Sequence, residues 1–442
     1  MHVTGVLPLQ LRQRFLAVSF WLWTCLLVLR ASAQDLSDDQ LSQVQHNLAI
    51  GATHSWELGT RAEALIELNT PSYSVFSSTP LPLPFSAYTY GPPSSLADVL
   101  AIAHGVVANQ SQSDSPQPFI KDSAAGDPAS VGVAVLIANW TGYQSGNGSV
   151  DYARAARDQV EYLFSDSVPK TSDGAISHRV DQLQLWSDSV YMVPPFLAYY
   201  GVTTGNRSML EEAYTQCKLY RSYLRDTSAN NLWKHVLMGS GTDEGHWSTG
   251  NAWAAAGMLR VLRTIAQSQY ANTMKHEQID LANWVGEIHG GMYPHLQSNG
   301  LFRNYPDSSD SANFDDAAST ALLAATVYRL ANAWGAHAHL PDAERSRAAL
   351  FGGNNDTASN ASLAHFTADM WLTPVVNPNS YGQQGSKSPE GQAFVLELVA
   401  AHRDWVDAGS QGANAGASAA GYSLRSWKRR CTCNTYASTS KG

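Results

Sequence analysis

The sequence predicts an all-α protein built as paired antiparallel helices closed into a ring. Three observations carry that expectation. Helical patterns recur from residue 35 to residue 407, while convincing strands are scarce. The segments between them hold the chain breakers, as in TPLPLPFSAYTYGPP (79–93) and NPNSYGQQGSKSPEG (377–391). No heptad, self-similar period or shift of composition divides this block before its tail. An α-solenoid of degenerate repeats is the competing architecture.

The patterns fall at 35–52, 54–68, 94–109, 128–141, 150–166, 181–200, 206–227, 250–269, 274–288, 313–334, 342–350 and 388–407. Asp35 or Ser37 can cap the first, and Thr249 is a candidate N-cap for the eighth. The sixth raises a question. In SHRVDQLQLWSDSVYMVPPFLAYYG (177–201), Leu183, Leu185, Trp186, Val190, Tyr191, Met192 and Val193 spread almost all the way round a helical wheel. Such a helix is buried on every side, yet Asp188 falls inside the run. An unpaired buried carboxyl is costly and tends to keep its proton. Asp188 therefore reads either as a structural residue bonded to a neighbouring element or as a general acid.

The ends and the composition bound the class. Arg12 and Arg14 precede an apolar run from Phe15 to Leu29, and Ala31-Ser32-Ala33 offers a cleavage site before Gln34. Residues 1–33 thus read as a secretory signal, whose apolar run of about fifteen residues is short for a membrane helix. Six N-x-S/T acceptors (Asn109, Asn139, Asn147, Asn206, Asn355 and Asn360) fit a secreted glycoprotein. Cys25 leaves with the signal, so Cys217, Cys431 and Cys433 remain, too few and odd in number for a simple disulfide framework. Cys217 lies in a helical pattern and reads as a buried thiol.

The remaining 409 residues (442 minus 33) could form one large barrel or two ordinary domains. Charged residues make up 15% of the chain, against roughly 25% in ordinary soluble domains. The net charge of −9 becomes −12 without Arg12, Arg14 and Arg30. No basic cluster exists to neutralise phosphates, which excludes a nucleic-acid partner. Low charge with many aromatic residues suits a glycan-binding cleft, where flat rings pack on sugar faces, and suits a large apolar core equally. The tail, 408–442, is rich in Ala, Gly and Ser and is expected to be disordered.

A second stretch stands out, NLWKHVLMGSGTDEGHWSTGNAWAAAGMLRVL (231–262). Gly239, Gly241, Gly245 and Gly250 lie ahead of a strong helix, where backbone amides can approach a ligand. Trp247 and Trp253 flank the helix start and read as packing residues on their own. His178, His235 and His246, with Asp243 and Glu244, match no compact zinc signature, so no metal and no cofactor is expected. G-x-S-x-G, the P-loop and G-x-G-x-x-G after a strand are all missing. Ordinary glycoside hydrolysis needs two carboxyls. Asp127, Asp315, Asp316 and Glu390 all sit at helix starts, where a capping role is the default. In a ring of hairpins alternate helix ends gather at one mouth, so some of these acids could converge.

Together, LWSDSVYMVPPFLAYY, NLWKH and GHWSTGNAWAAAGMLRVL resemble glycoside hydrolase family 105, the unsaturated rhamnogalacturonyl hydrolases, in the same motif order from residue 95 to residue 405. The resemblance implies an (α/α)6 barrel, the six-hairpin fold, in a secreted form similar to fungal members. It implies action on oligosaccharides left by pectin lyases, whose non-reducing end is a 4,5-unsaturated uronic acid. A carboxylic acid protonates the enol ether, water adds at C5, and the hemiketal opens to separate the sugars. Asp188 matches the general acid, its apolar setting raising its pKa, and Asp127 matches the carboxyl that positions water.

The same resemblance makes His178, Trp186 and His235 substrate-binding residues and Trp247 and Trp253 rings that stack on sugars. One departure matters. The family reads W-x-R-G-N-G-W, and that arginine pairs with the uronate carboxylate. Here Thr249 stands in its place, with Ala252 for the next glycine, and Arg303 is the candidate substitute. The alternatives are another six-hairpin glycosidase with two carboxyls, mannanase-like, or a noncatalytic carbohydrate-binding barrel. In each the partner is an oligosaccharide, the chain is a monomer, and no membrane is involved once the signal is cleaved.

Overall fold

The computed structural model describes residues 35–110, 115–145, 150–353 and 363–413. The signal segment with Cys25, the acceptors Asn147, Asn355 and Asn360, and the tail from 414 with Cys431 and Cys433 lie outside the described residues. Among the described residues, twelve long helices follow one another: α1 (Asp38–Gly51), α2 (Ser55–Asn69), α3 (Ala97–Ala108), α4 (Gly132–Trp140), α5 (Tyr152–Phe164), α6 (Ser189–Thr203), α7 (Arg207–Leu224), α8 (Ser248–Gln267), α9 (Lys275–Met292), α10 (Ala317–Trp334), α11 (Leu340–Phe351) and α12 (Pro389–Asp407).

The even-numbered helices form an inner ring and the odd-numbered ones an outer layer. Each inner helix packs on the next, and α12 packs back onto α2, which closes the ring. Closure makes this an (α/α)6 barrel and rules out the open solenoid.

Composition explains which helix goes where. The inner α4, GVAVLIANW, is apolar all round and buried from Gly132 to Ala138. The outer α5 buries Ala155, Ala156, Val160 and Leu163 and turns Arg157 and Glu161 outward, the one-sided pattern of a helix with water on its back. Small residues set the inner spacing. A Cβ on Gly257 would lie 2.0 Å from the Val190 carbonyl oxygen, and one on Gly132 2.0 Å from the Phe196 ring.

Two differences between the sequence pattern and the helix starts bear on the site. The sixth pattern begins eight residues late, at Ser189, because Leu185–Trp186 form a short strand, β1, paired antiparallel with β4 (Val236–Leu237). An extended pair flanking a helix fills a helical wheel as well as a helix does. Asp188 is therefore the N-cap residue of α6, half-buried, and lies outside any helix interior. The N-cap of α8 is Trp247 rather than Thr249, which falls in the first turn. Ser37, not Asp35, caps α1, in a reciprocal capping box with Gln40. Cys217 is a buried free thiol on α7. Among the described residues no helix is long and apolar enough to cross a membrane.

Below the mouth, the inner ring encloses a charge network in place of an apolar floor. Arg260 on α8 meets Glu67 on α2 at 2.6 Å, Glu397 on α12 at 3.1 Å and Glu63 at 3.7 Å. Arg329 on α10 reaches Glu67 at 2.7 Å and also pairs with Asp404. Tyr191 donates to Glu397 at 2.7 Å, and the Arg260 guanidinium lies over its ring. Burial pushes Glu63 and Glu397 up, while Arg260 pulls both down. Removing one partner strands buried charges on the others. Arg260→Met is expected to cost about 3–5 kcal/mol, read as a fall in Tm. Glu397→Gln should cost less, because Arg260 keeps Glu67 and Glu63.

Candidate active site

Six inner helices that run the same way bring six N-termini to one mouth. The residues there are linked directly. Thr249 at the start of α8 bonds Asp316 at the start of α10, and Trp56 at the start of α2 donates to Glu390 at the start of α12. Asp127 opens the 3-10 turn Asp127–Val131 that leads into α4, and Asp188 caps α6.

Three of the four acids read as caps take other roles. Asp316 does cap α10, accepting from the amides of Ala318 and Ser319. The α12 cap is Ser388, which leaves the Glu390 carboxyl to Trp56. No amide is capped by the Asp127 side chain: the cap position before its turn is Gly126. Asp315 pairs with Arg303 across a two-strand ribbon.

Crowding decides where protons sit. Asp127 is 7% exposed. Burial, then the charges of Asp188, Asp122 and Glu390, push its carboxyl well above the ordinary value, against a small opposing pull from Arg179. Glu390 is pushed up to about 8, again by burial first, although the Trp56 hydrogen bond works the other way. Burial lowers His178 below the ordinary imidazole value. His178 Nδ1 lies 3.8 Å from Asp127 Oδ1. With the acid protonated and the imidazole neutral, that approach is a contact between uncharged groups. The same nitrogen shares a 2.8 Å hydrogen bond with the Ser189 hydroxyl.

Rings line the space beside these acids. His178 stacks on Trp186 at 4.5 Å, Trp186 meets His235 edge-on at 5.4 Å, and His235 lies 4.4 Å from both Trp247 and Tyr381. Asp243 accepts from His235 Nδ1 at 2.9 Å and from the Tyr305 hydroxyl at 2.5 Å. Burial opposes the Asp243 charge, but these two bonds win and hold its carboxyl below the ordinary value. Three buried polar atoms in this region have no partner among the described residues: Asp188 Oδ1, His235 Nε2 and Ser187 Oγ. Buried polar atoms are nearly always bonded, so three together mark a place where a ligand's hydroxyls can bond.

Of the residues expected at a site, Asp127, Asp188, His178, Trp186, His235 and Trp247 come together. Three do not. Trp253 is 2% exposed and packs on Tyr191 and Phe394, which makes it a core ring and not a sugar platform. Thr249 is fully buried with its hydroxyl spent on Asp316. Arg303 lies on its own ribbon, where Nη2 donates to the Asn313 carbonyl at 2.5 Å, and among the described residues no hydrogen bond or ion pair joins it to Asp127 or Asp188. Sequence reasoning missed Tyr381, which sits in a breaker-rich connector, and Trp56 and Arg179, which no motif flagged. It treated Asp243 only as a metal ligand.

An (α/α)6 barrel whose mouth gathers a close pair of acids among stacked rings is the layout of a six-hairpin glycoside hydrolase. The chain belongs to glycosyl hydrolase family 88, which residues 106–369 match. Its fold is similar to that of a possible member of the GH105 family from Salmonella enterica subsp. enterica serovar Paratyphi A, at 15% identity over 83% of this chain and 93% of that one, with a TM-score of 0.60. It is also similar to the unsaturated glucuronyl hydrolase from Bacillus sp. GL1, responsible for the degradation of glycosaminoglycan (13% identity, 83% and 96% covered, TM-score 0.52). A third similar structure is an unsaturated glucuronyl hydrolase specific for heparin (12% identity, 84% and 99% covered, TM-score 0.53). At these identities the likeness is one of fold. A comparison with curated protein sequences finds no match.

The raised Glu390 value has a testable sign. Its folded value of about 8 exceeds the ordinary 4.5. Between those values the folded state binds more protons, so this group's contribution to stability is lost as pH rises through the window. Glu390→Gln lacks that titration. Its Tm relative to wild type is expected to rise steadily as pH climbs from about 4.5 to about 8, which thermal melts across that range will measure.

Proposed function

We propose that this glycoside hydrolase removes 4,5-unsaturated uronic acid from the non-reducing end of pectin-derived oligosaccharides, outside the cell. The observation that carries the reading is the Asp127–Asp188 pair, set at the mouth beside His178 and Trp186. Burial and the Asp188 charge keep a proton on Asp127, and a protonated carboxyl beside a second one can supply both an acid and a base. Hydration of an enol ether needs both. A proton goes to C4, water adds at C5, and the water gives up a proton, so the pair ends with the protonation it began with. The resemblance assigns donation to Asp188 and the water to Asp127; burial holds the proton on Asp127 in the free protein, and it passes to Asp188 before C4 is protonated. The hemiketal then opens and the sugars part.

The rings of Trp186 and Trp247 and the unpartnered atoms of His235 and Ser187 suit a sugar's faces and hydroxyls. Two structures with this fold are named unsaturated glucuronyl hydrolases, which supports the unsaturated-uronate part of the reading. Secretion rests on the leader at 1–33 and on the acceptors, of which Asn109, Asn139 and Asn206 are exposed at helix ends.

The test is loss of the ultraviolet absorbance of the conjugated uronate when purified protein meets lyase-generated disaccharides. Wild type is expected to bleach it. Asp188→Asn should lower kcat by about a hundred- to ten-thousand-fold with the fold intact. Wild-type protein that bleaches none of the rhamnogalacturonan, homogalacturonan or glucuronan products would sink the reading.

A further inference from the structure

A uronate is an anion, and the mouth described above is crowded with acids. Asp122, Asp127, Asp188 and Glu390 act on one another there. An anionic sugar entering this space needs a cation, and the two positions expected to supply one do not. Thr249 is sealed against Asp316, and Arg303 is turned to Asn313.

Arg179 is placed differently. It follows His178 in the chain, and its backbone bridges Ala124, three residues before Asp127. Its charge reaches both Asp127 and His178. Two nitrogens hold the guanidinium: Nη1 donates to the Ser123 hydroxyl at 3.0 Å and Nε to Asp181 at 3.1 Å. Nη2 has no hydrogen-bond partner among the described residues, and the side chain is 27% exposed. Asp181 is 60% exposed, so water screens this pair. The arrangement is a cation held in place beside His178 and the segment that leads from Ala124 to Asp127, with Nη2 unspent. Planar guanidinium is the group best shaped to take a carboxylate.

We infer that Arg179 is the specificity-determining residue that binds the substrate's uronate carboxylate, in place of the arginine that this chain lacks at Thr249. The inference rests on the unsaturated-uronate reading of the site. Arg179 acts in binding and takes no part in the proton transfers, so its loss appears in KM. It also gives the chain a preference for the free acid over the ester, because an ester offers no charge to pair.

The experiment crosses two changes. Wild type, Arg179→Gln and Arg179→Lys are assayed on an unsaturated uronyl disaccharide and on its methyl ester, with Tm as the check on folding. For the free acid, Arg179→Gln is expected to raise KM about 10- to 100-fold, the scale of a charge-assisted hydrogen bond, with kcat kept. Arg179→Lys should recover part of that loss. On the ester, all three proteins should share one KM. An equal rise on acid and ester, or none on the acid, overturns the role of Arg179 while leaving the hydrolase reading intact. Wild type inactive on both substrates overturns the hydrolase reading and this inference with it.

Discussion

Six inner helices lying parallel around one axis leave their unsatisfied amide ends at a single opening. Everything chemical in this chain follows from that geometric constraint. Helix N-termini carry partial positive charge and favour acids and anions, and five of the acids at this mouth (Glu57, Asp127, Asp188, Asp316 and Glu390) sit in or beside the first turn of an inner element. Some are used locally. Glu57 closes a capping box at the start of α2, and Asp316 caps α10 while bonding Thr249 on the neighbouring helix. Asp127 and Asp188 have no such bond to a backbone amide. Burial and the neighbouring Asp188 charge keep Asp127 protonated, and a protonated carboxyl beside a second one is what acid–base chemistry on a sugar can use.

The two ends of the ring deal with charge in opposite ways. At the mouth, acids crowd with little cationic relief, so burial and neighbouring charge keep protons on Asp127 and Glu390. Deeper in, Arg260 and Arg329 tie Glu63, Glu67, Glu397 and Asp404 into a network spanning α2, α8, α10 and α12. Tyr191 joins the two regions. It lies one turn below Asp188, donates to Glu397, and packs its ring against Trp253. The network therefore fixes the helix that presents Asp188, and Trp253 serves the site as a support two layers away from it.

Much of the architecture was legible in the sequence. All twelve helical patterns correspond to helices, because inner helices are apolar all round and outer ones one-sided, and both signals are periodic. The convergence of helix starts followed from the hairpin topology alone. What misled was chemistry that depends on neighbours. Leu185 and Trp186 are apolar whether in strand or helix, so a wheel placed Asp188 in a helix interior instead of at a cap. Trp253 carries the same letters as a stacking ring but lies one turn further along α8, facing the core. Glu390 looked like a cap because its position is a cap position by sequence; only the structure reveals that Ser388 does that work. Arg179 carried no motif, and its place beside the segment leading to Asp127 arises from a bridge to Ala124 that no local pattern encodes.

The central claim is that burial beside the Asp188 charge keeps Asp127 protonated. Carbon-13 NMR of carboxyl-labelled aspartate follows it directly, with Asp127→Asn identifying the Asp127 resonance by difference. The account predicts that Asp127 stays protonated well above the ordinary aspartate range and that Asp188→Asn, which removes the neighbouring charge, lets it ionise at lower pH. An Asp127 resonance that titrates in the ordinary range, and that Asp188→Asn leaves unmoved, would contradict it.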